Sequence, residues 1–147
     1  MQTQKNKRLL ALDVGLKRIG VAISDPQKII ASPLENIIAL PNLKATVEKI
    51  VQFLQQIMKE KECEIEKIII GLPLKMNGVD SATTTHVRTF ATLLQEAIAT
   101  PVELFDERLT TVQAERALMD VGFTRRRRSE LVDRTSAVIL LQSYLGT

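Results

Sequence analysis

The sequence predicts an α/β protein in which helices flank a central mixed sheet of five strands. Three strand-like segments follow one another near the N-terminus and are separated by short turns. After them, segments with helical and strand-like spacing of apolar residues alternate along the chain. Of the 147 residues, 45% are hydrophobic, which predicts one domain spanning residues 1–147 with a core of its own.

The first three strands are predicted to form a meander. The segment RLLALDV is apolar on both faces, which indicates a central strand. The short GLKR connection that begins at Gly15 predicts a hairpin into the second strand, IGVAIS. The third strand is predicted in IIASPLENII, where Pro33 favours a position at the edge of the sheet.

Helices and strands alternate in the rest of the chain. Apolar residues recur at helical spacing from Leu43 to about Lys59. The segment EKIIIGLP is predicted as a buried strand that ends at Gly71 and Pro73. Another helix, capped by Asp80 or Ser81, is expected to run to about Ala99, before the fifth strand VELFDE.

Two further helices are predicted near the C-terminus. Thr110 and Gln113 have the spacing of a capping box before a short helix that contains Ala114 to Val121. The last helix is expected from about Ser129 to Tyr144.

Composition excludes several classes of protein. Tryptophan is absent and aromatic residues make up 3% of the chain, so an aromatic platform for stacking nucleobases is not available. The single Cys63 and the single His86 exclude an internal disulfide and a histidine-rich zinc site. The N-terminus has neither the layout of a signal peptide nor a membrane-spanning segment, so we expect a cytoplasmic protein that does not bind membranes.

Basic residues are concentrated in two places. Arg125, Arg126, Arg127 and Arg128 form an unbroken run, and Lys17 and Arg18 lie in the first hairpin. The arginine run is too repulsive for a core, so we expect a loop that contacts an anionic partner, with a merely solvated loop as the alternative.

Acidic residues follow the first and last strands and recur in the last helix. Asp13 ends the first strand, Asp106 and Glu107 end the fifth, and Asp133 lies four residues before Ala137 on the inward helical face. If the first and fifth strands are parallel and adjacent, these acids meet at one edge of the sheet.

Converging carboxylates raise one another's pKa unless a cation neutralises them. One candidate is an arginine, since Arg108 and Arg134 stand beside the acids. The other is a divalent metal, because several carboxylate oxygens are the ligands that Mg²⁺ and Mn²⁺ prefer. A pair of such ions can activate water and stabilise the leaving oxygen of a phosphodiester. The sequence therefore predicts a metal-dependent nuclease.

Four segments, in order, resemble the bacterial YqgF family, also called RuvX: LALDVGLKRIGVAISD, IIIGLPLKMNG, DERLTTVQAERAL and VDRTSAVILLQSYL. Members of that family are described as pre-16S rRNA nucleases and as Holliday junction resolvases. The resemblance covers nearly the whole chain and implies an RNase H-like nuclease domain.

The resemblance implies a role for each matching acid. Asp13, Glu107 and Asp133 would be the catalytic metal ligands, with Mg²⁺ or Mn²⁺ as cofactor. Neighbouring residues of a strand face opposite sides, so only one of Asp106 and Glu107 can enter the site. The resemblance favours Glu107, and Asp106 is an alternative ligand or an anchor for Arg108. Ser136 stands where related resolvases commonly carry a further aspartate, which weakens the case for a second tightly held metal ion.

Candidate contacts to nucleic acid are Lys17, Arg18, Lys75, Arg108 and the run Arg125, Arg126, Arg127 and Arg128. The expected substrate is the 5′ end of pre-16S rRNA, with the pre-ribosomal particle as a candidate partner. A four-way DNA junction, cut by a symmetric homodimer, is the alternative substrate. Two other classes remain open, namely a non-catalytic RNA-binding assembly factor with ion-paired acids and an actin-like ATPase. Both a monomer and a homodimer are compatible with the sequence.

Overall fold

The computed structural model describes residues 6–110 and 136–147 and confirms the predicted five-stranded mixed sheet. The elements are β1 (Lys7–Val14), β2 (Arg18–Ser24), β3 (Ala31–Ile38), α1 (Leu43–Glu60), β4 (Glu64–Leu72), α2 (Ala82–Ala97), β5 (Val102–Asp106), a 3₁₀ turn (Glu107–Leu109) and the helical residues 136–145, here called α3. The strand order is β3-β2-β1-β4-β5. β1 and β2, and also β2 and β3, pair antiparallel, whereas β4 is parallel to both of its neighbours.

The order of the strands corrects one expectation. β1 and β5 are parallel but not adjacent, because β4 lies between them. In the N-terminal meander β2 is already paired on both sides, so the only open edges are those of β1 and β3. The crossover through α1 places β4 on the open edge of β1, and α2 then returns the chain to the free edge of β4. An acid on β5 must therefore reach across β4 to meet an acid on β1.

Apolar residues are buried on both faces of the sheet. One face, which includes Leu10 and Leu12 of β1, packs against α1 and α2. The other face, which includes Leu9 and Ala11, packs against α3. The predicted burial of apolar residues on both faces of β1 is confirmed, since helices pack against the sheet on each side.

Polar side chains fix where the helices begin. Asn42 caps α1 by accepting hydrogen bonds from the backbone N–H groups of Lys44 and Ala45. Ser81 caps α2 in a capping box with Thr84, so of the two predicted caps the structure uses Ser81. Thr84 also donates a hydrogen bond to the Pro73 carbonyl at 2.6 Å, which ties the start of α2 to the loop after β4.

Two side chains of α3 anchor the helix to the sheet. Gln142 donates to the Ile29 carbonyl at 2.9 Å and accepts from the Ala31 N–H at 3.0 Å, which fixes α3 to the start of β3. Tyr144 joins Lys67 and Glu103 in a polar cluster, and its ring packs edge-on against Phe105. The position of α3 over the sheet is thus set at both edges.

Two predicted elements concern residues outside the described ranges. These are the short helix that contains Ala114 to Val121 and the start of the last helix near Ser129; only residues 136–145 of that helix are described. Among the described helices, none combines the length and apolar character needed to cross a membrane.

Replacing Leu141 by alanine tests whether α3 is an integral part of the core. The Leu141 side chain is fully buried between α3 and the sheet. We expect the L141A variant to lose ~2–5 kcal/mol of unfolding free energy, the usual cost of a buried Leu-to-Ala change. The matched control is L16A, since Leu16 is 71% exposed, and its loss should stay within ~0.5 kcal/mol. Chemical denaturation measures both, and equal effects of the two changes would contradict this packing.

Candidate active site

Asp13 lies near the carboxyl end of β1 on the face covered by α3. It pairs across the sheet with Gly20 of β2 and shares its face with Leu9 and Ala11. The residue is half-buried, because the sheet lies beneath it and α3 stands beside it. A carboxylate is thus held at the edge of an apolar layer.

Glu107 is the first residue after β5 and begins the 3₁₀ turn. The side chain of the preceding Asp106 contacts Arg108. It caps the 3₁₀ turn by accepting a hydrogen bond from the Arg108 N–H at 2.9 Å. The Arg108 guanidinium also grips Asp106, with a shortest distance of 2.7 Å, and lowers the pKa of the Asp106 carboxyl. Asp106 therefore has the anchoring role that the sequence analysis considered for it.

Gly71 of β4 lies between the two acids. A Cβ atom at this position would lie 2.5 Å from Oε1 of Glu107, 3.0 Å from its Cγ and 3.1 Å from a methyl group of Leu140. The Glu107 side chain therefore occupies the space that a side chain on β4 would need. The sequence suggested that Gly71 ends the strand, but Gly71 is paired with Phe105 within the ladder. The glycine at this position allows Glu107 to lie close to the β4 backbone and does not form a turn.

The two carboxyl groups are close enough to change each other's protonation. Burial, the charge of Asp13, a hydrogen bond with Asp13 and the charge of Asp106 together raise the pKa of Glu107 from 4.5 to about 7, with burial as the largest cause. Two ionised carboxylates close enough to share a hydrogen bond repel each other, so without a cation the pair holds a proton near neutral pH.

A cleft of about 220 Å³ opens beside this acid pair. Its walls come from β1, from the 3₁₀ turn and the residue after it, and from α3; the lining residues are Asp13, Glu107, Thr110, Ser136, Ile139 and Leu140. The Thr110 hydroxyl donates to the Glu107 carbonyl at 2.9 Å, which steadies the turn. The cleft can therefore admit a polar group of a ligand to both carboxylates.

The first hairpin places basic residues next to Asp13. A second cleft, of about 270 Å³, adjoins Asp13 and is lined by Lys17 and Arg18. Gly15 permits the tight hairpin, since a Cβ there would lie 2.7 Å from the Arg18 carbonyl oxygen. Lys17 and Arg18, which the sequence predicted as contacts to nucleic acid, thus line a cleft together with Asp13.

Lys75 and Arg108 lie on the other side of the acid pair. Lys75 is exposed in the loop that follows β4. Arg108 donates to the Met76 carbonyl of that loop at 3.2 Å while it holds Asp106. Arg108 therefore braces the rim of the site, in addition to presenting positive charge there.

The remaining predicted site residues lie outside the described ranges. They are the helical acid Asp133, the adjacent Arg134 and the run Arg125, Arg126, Arg127 and Arg128. Within residues 6–110 and 136–147, no three potential metal ligands cluster, so the described part of the site is the pair Asp13 and Glu107. The pair suits a hard divalent cation, because it offers only oxygen atoms and its mutual repulsion would be relieved by positive charge.

Two features of the site were missed by sequence reasoning. Gly71 was treated as a strand end, although a glycine within an apolar run is a known signal of close approach. Asn36 was not singled out, yet it lines the basic cleft beside Asp13. Its only signal was a polar residue in the segment LENII, which is weak because β3 is an edge strand.

The acid pair lies at the carboxyl ends of parallel strands on a five-stranded sheet of order 3-2-1-4-5, which is the topology of the RNase H-like fold. Comparison with solved structures agrees on the fold. RuvC of T. thermophilus in complex with a Holliday junction substrate is 14% identical, with 95% of this chain and 97% of that chain covered and a TM-score of 0.51. A ROK hexokinase from Thermus thermophilus gives a TM-score of 0.50 at 18% identity, but only 37% of that chain is covered.

The chain belongs to the RuvX family of Holliday junction resolvases, whose family model matches residues 7–147. A relative in Protochlamydia amoebophila, named "Putative pre-16S rRNA nuclease", is 48% identical over 97% of this chain and 95% of its own length. A relative with the same name in Syntrophomonas wolfei is 42% identical over 94% of this chain and 93% of its own length. These comparisons confirm the family, the fold and the nuclease class that the sequence predicted. Divalent metal ions are general cofactors of this class.

Replacing Gly71 by alanine should misplace Glu107 without unfolding the protein. The new methyl group would displace the flexible Glu107 carboxylate from Asp13, and a misplacement of ~1 Å costs a catalytic group ~10²-fold in rate. We expect G71A to lose cleavage by about that factor while its circular dichroism spectrum stays unchanged. The matched control is G146A, because a Cβ there meets only ordinary contacts at 3.6 Å. Equal activity of both variants would contradict the positioning role of Gly71.

Replacing Glu107 by glutamine should change how stability depends on pH. The unfolded chain ionises Glu107 above its ordinary pKa of 4.5, whereas the folded protein holds the proton up to about 7. Wild-type stability should therefore fall as pH rises through this window. We expect E107Q to melt above wild type at pH 8 in EDTA, and the gap should shrink towards pH 5.

The pH experiment has a matched control on the protein surface. E48Q changes an exposed glutamate of α1 and should melt like wild type at each pH. A difference between E107Q and wild type that is the same at all pH values would show that Glu107 and Asp13 do not share a proton.

Proposed function

We propose that this protein is a metal-dependent endonuclease that hydrolyses phosphodiester bonds in structured RNA, with the 5′ end of pre-16S rRNA as its substrate. The observation that carries this proposal is the contact between Asp13 and Glu107 across Gly71, with its raised Glu107 pKa. Buried like charges are costly, and a site that keeps them is typical of catalysis or cation binding.

Asp13 and Glu107 would hold Mg²⁺ or Mn²⁺, with Asp133 as a third ligand. The role of Asp133 rests on its sequence spacing and on the family resemblance. When bound, the metal supplies Lewis-acid activation of water and of the phosphodiester oxygens. Asp13 and Glu107 must then lose the proton that they share, so cation binding and proton release are linked.

The protein's own residues would place the substrate. Lys17 and Arg18 would hold backbone phosphates in the cleft next to Asp13, because cationic side chains position nucleic acid without reading its sequence. On the other side, Lys75 would contact the strand where it leaves the acids, at the rim that Arg108 braces. The arginines at 125–128 are proposed to extend this contact.

The choice of pre-16S rRNA is supported by the names of the relatives, which are 40–48% identical over at least 94% of this chain. The second candidate is a four-way DNA junction, which the description of the matching family favours. Symmetric cutting of a junction would need a homodimer, whereas trimming of an rRNA end would not. For the first candidate, the pre-ribosomal particle is the proposed partner.

Cleavage assays with an active-site variant test this function. A precursor rRNA 5′ segment and a four-way DNA junction are incubated with Mg²⁺, with Mn²⁺ or with EDTA. We expect metal-dependent cleavage of the RNA. D13N should lose more than the ~10–100-fold that removal of an outer-shell metal partner costs, yet it should still bind the RNA. The matched control is D80N, since Asp80 forms only an exposed ion pair with Arg88 among the described residues.

Three other outcomes would redirect the proposal. Preferred cleavage of the junction would select the resolvase function. Tight RNA binding without cleavage, insensitive to EDTA and to D13N, would support the non-catalytic assembly factor. Binding of ATP in a thermal-shift assay would support the actin-like ATPase.

A further inference from the structure

The cleft next to the acid pair contains one group that phosphate binding does not explain. This cleft of about 270 Å³ shares Asp13 with the acid site, and it is lined by Asp13, Gly15, Lys17, Arg18, Gly20 and Asn36. Lys17 and Arg18 suit phosphates, and the glycines leave room for a strand. Asn36 is the neutral polar side chain in this lining, and it comes from the edge strand β3.

A β-bulge determines where Asn36 points. Ile19 pairs with Ile37 and Val21 pairs with Leu34, so two residues of β3, Glu35 and Asn36, lie opposite the single residue Gly20. Bulges of this kind re-aim side chains and are frequent beside active sites. Gly20 also pairs with Asp13 on its other side, so the bulge brings Asn36 to the row of the sheet that contains Asp13.

The oxygen of the Asn36 amide has no hydrogen-bond partner within the described protein. This atom, Oδ1, is buried. A buried acceptor without a partner destabilises a fold, and an apolar side chain of the same shape would avoid that cost. The amide is therefore better explained by a ligand than by stability, and rotation about χ2 can present either of its ends to the cleft.

The chemistry of the amide distinguishes RNA from DNA. Phosphodiester and deoxyribose oxygens only accept hydrogen bonds, and Lys17 and Arg18 already supply donors for them. A ribose 2′-hydroxyl both donates and accepts, so it can pair with Oδ1 or with Nδ2 of an amide. Deoxyribose has a hydrogen atom at that position and can pair with neither.

We propose that Asn36 contacts a ribose 2′-hydroxyl of the strand held in this cleft and thereby favours RNA over DNA. This inference rests on the proposed nuclease function and names the feature of the substrate that the site recognises. In this proposal Asn36 determines specificity and takes no part in cleavage, because the bond to be cleaved lies over the acid pair and not in the cleft that Asn36 lines.

Binding measurements in EDTA test the contact without cleavage. The probes are one precursor rRNA 5′ segment, the same sequence as DNA, and a series of RNAs with a single 2′-deoxy substitution at each position in turn. For the wild type, we expect one position at which the deoxy substitution weakens binding roughly fivefold, the size of one neutral hydrogen bond.

Two variants should remove this sensitivity. N36A and N36L should bind the all-RNA strand about fivefold more weakly, lose the effect of the 2′-deoxy substitution at that position, and bind DNA like the wild type. Both variants should melt at or above the wild-type temperature, because each removes an unsatisfied buried acceptor. The matched control is S32A, an exposed position on the same strand, which should behave like the wild type.

The possible failures are distinguishable. If N36A and N36L weaken RNA and DNA equally, or if no 2′-deoxy substitution affects the wild type, the contact with the 2′-hydroxyl is disproved while cleavage by the acid pair stands. If the wild type binds RNA with the expected pattern but never cleaves it, the nuclease function fails and the contact stands.

Discussion

The proposed active site depends on one close approach, in which Glu107 reaches over β4 to Asp13. β1 and β5 are separated by a whole strand, so a carboxylate after β5 can meet Asp13 only if β4 has no side chain at the crossing point. Gly71 meets this requirement, and Leu140 of α3 closes the space from above. The acid pair therefore depends on a missing side chain as much as on the acids themselves.

The close pair of acids destabilises the fold, and the apolar packing on both faces of the sheet offsets that cost. Burial and the charge of Asp13 make ionised Glu107 unfavourable in the protein without a cation. The small side chains of Ala11 and Ala22, beneath α3, let the helix sit close to the sheet beside the acids. Gln142 and Tyr144 then fix that helix at the two edges of the sheet. The packing of α3 on the sheet keeps Asp13 and Glu107 half-buried. A bound cation would relieve the repulsion between the two carboxylates.

Features set by local sequence could be predicted, whereas features set by strand order could not. The hairpin at Gly15, the cap at Ser81 and the edge position of Pro33 follow from turn, capping and hydrogen-bonding rules that act over a few residues. The insertion of β4 between β1 and β5 depends on which edge of the meander is open after α1 crosses. Asn36 depends on a bulge in the pairing of β2 with β3, and pairing register is not encoded in either strand alone.

The charges of the site are divided along the sheet, with Asp13 at the boundary. Lys17 and Arg18 lie on the β2 side of Asp13, and Glu107 lies on the β5 side. A polyanionic strand is attracted to the basic side but repelled by the acid pair as long as that pair lacks a cation. Under the proposed function, a strand that spans both sides would need a divalent ion at the acids. Binding on the basic side would then select the substrate, and the acid pair would admit the phosphodiester only together with the metal.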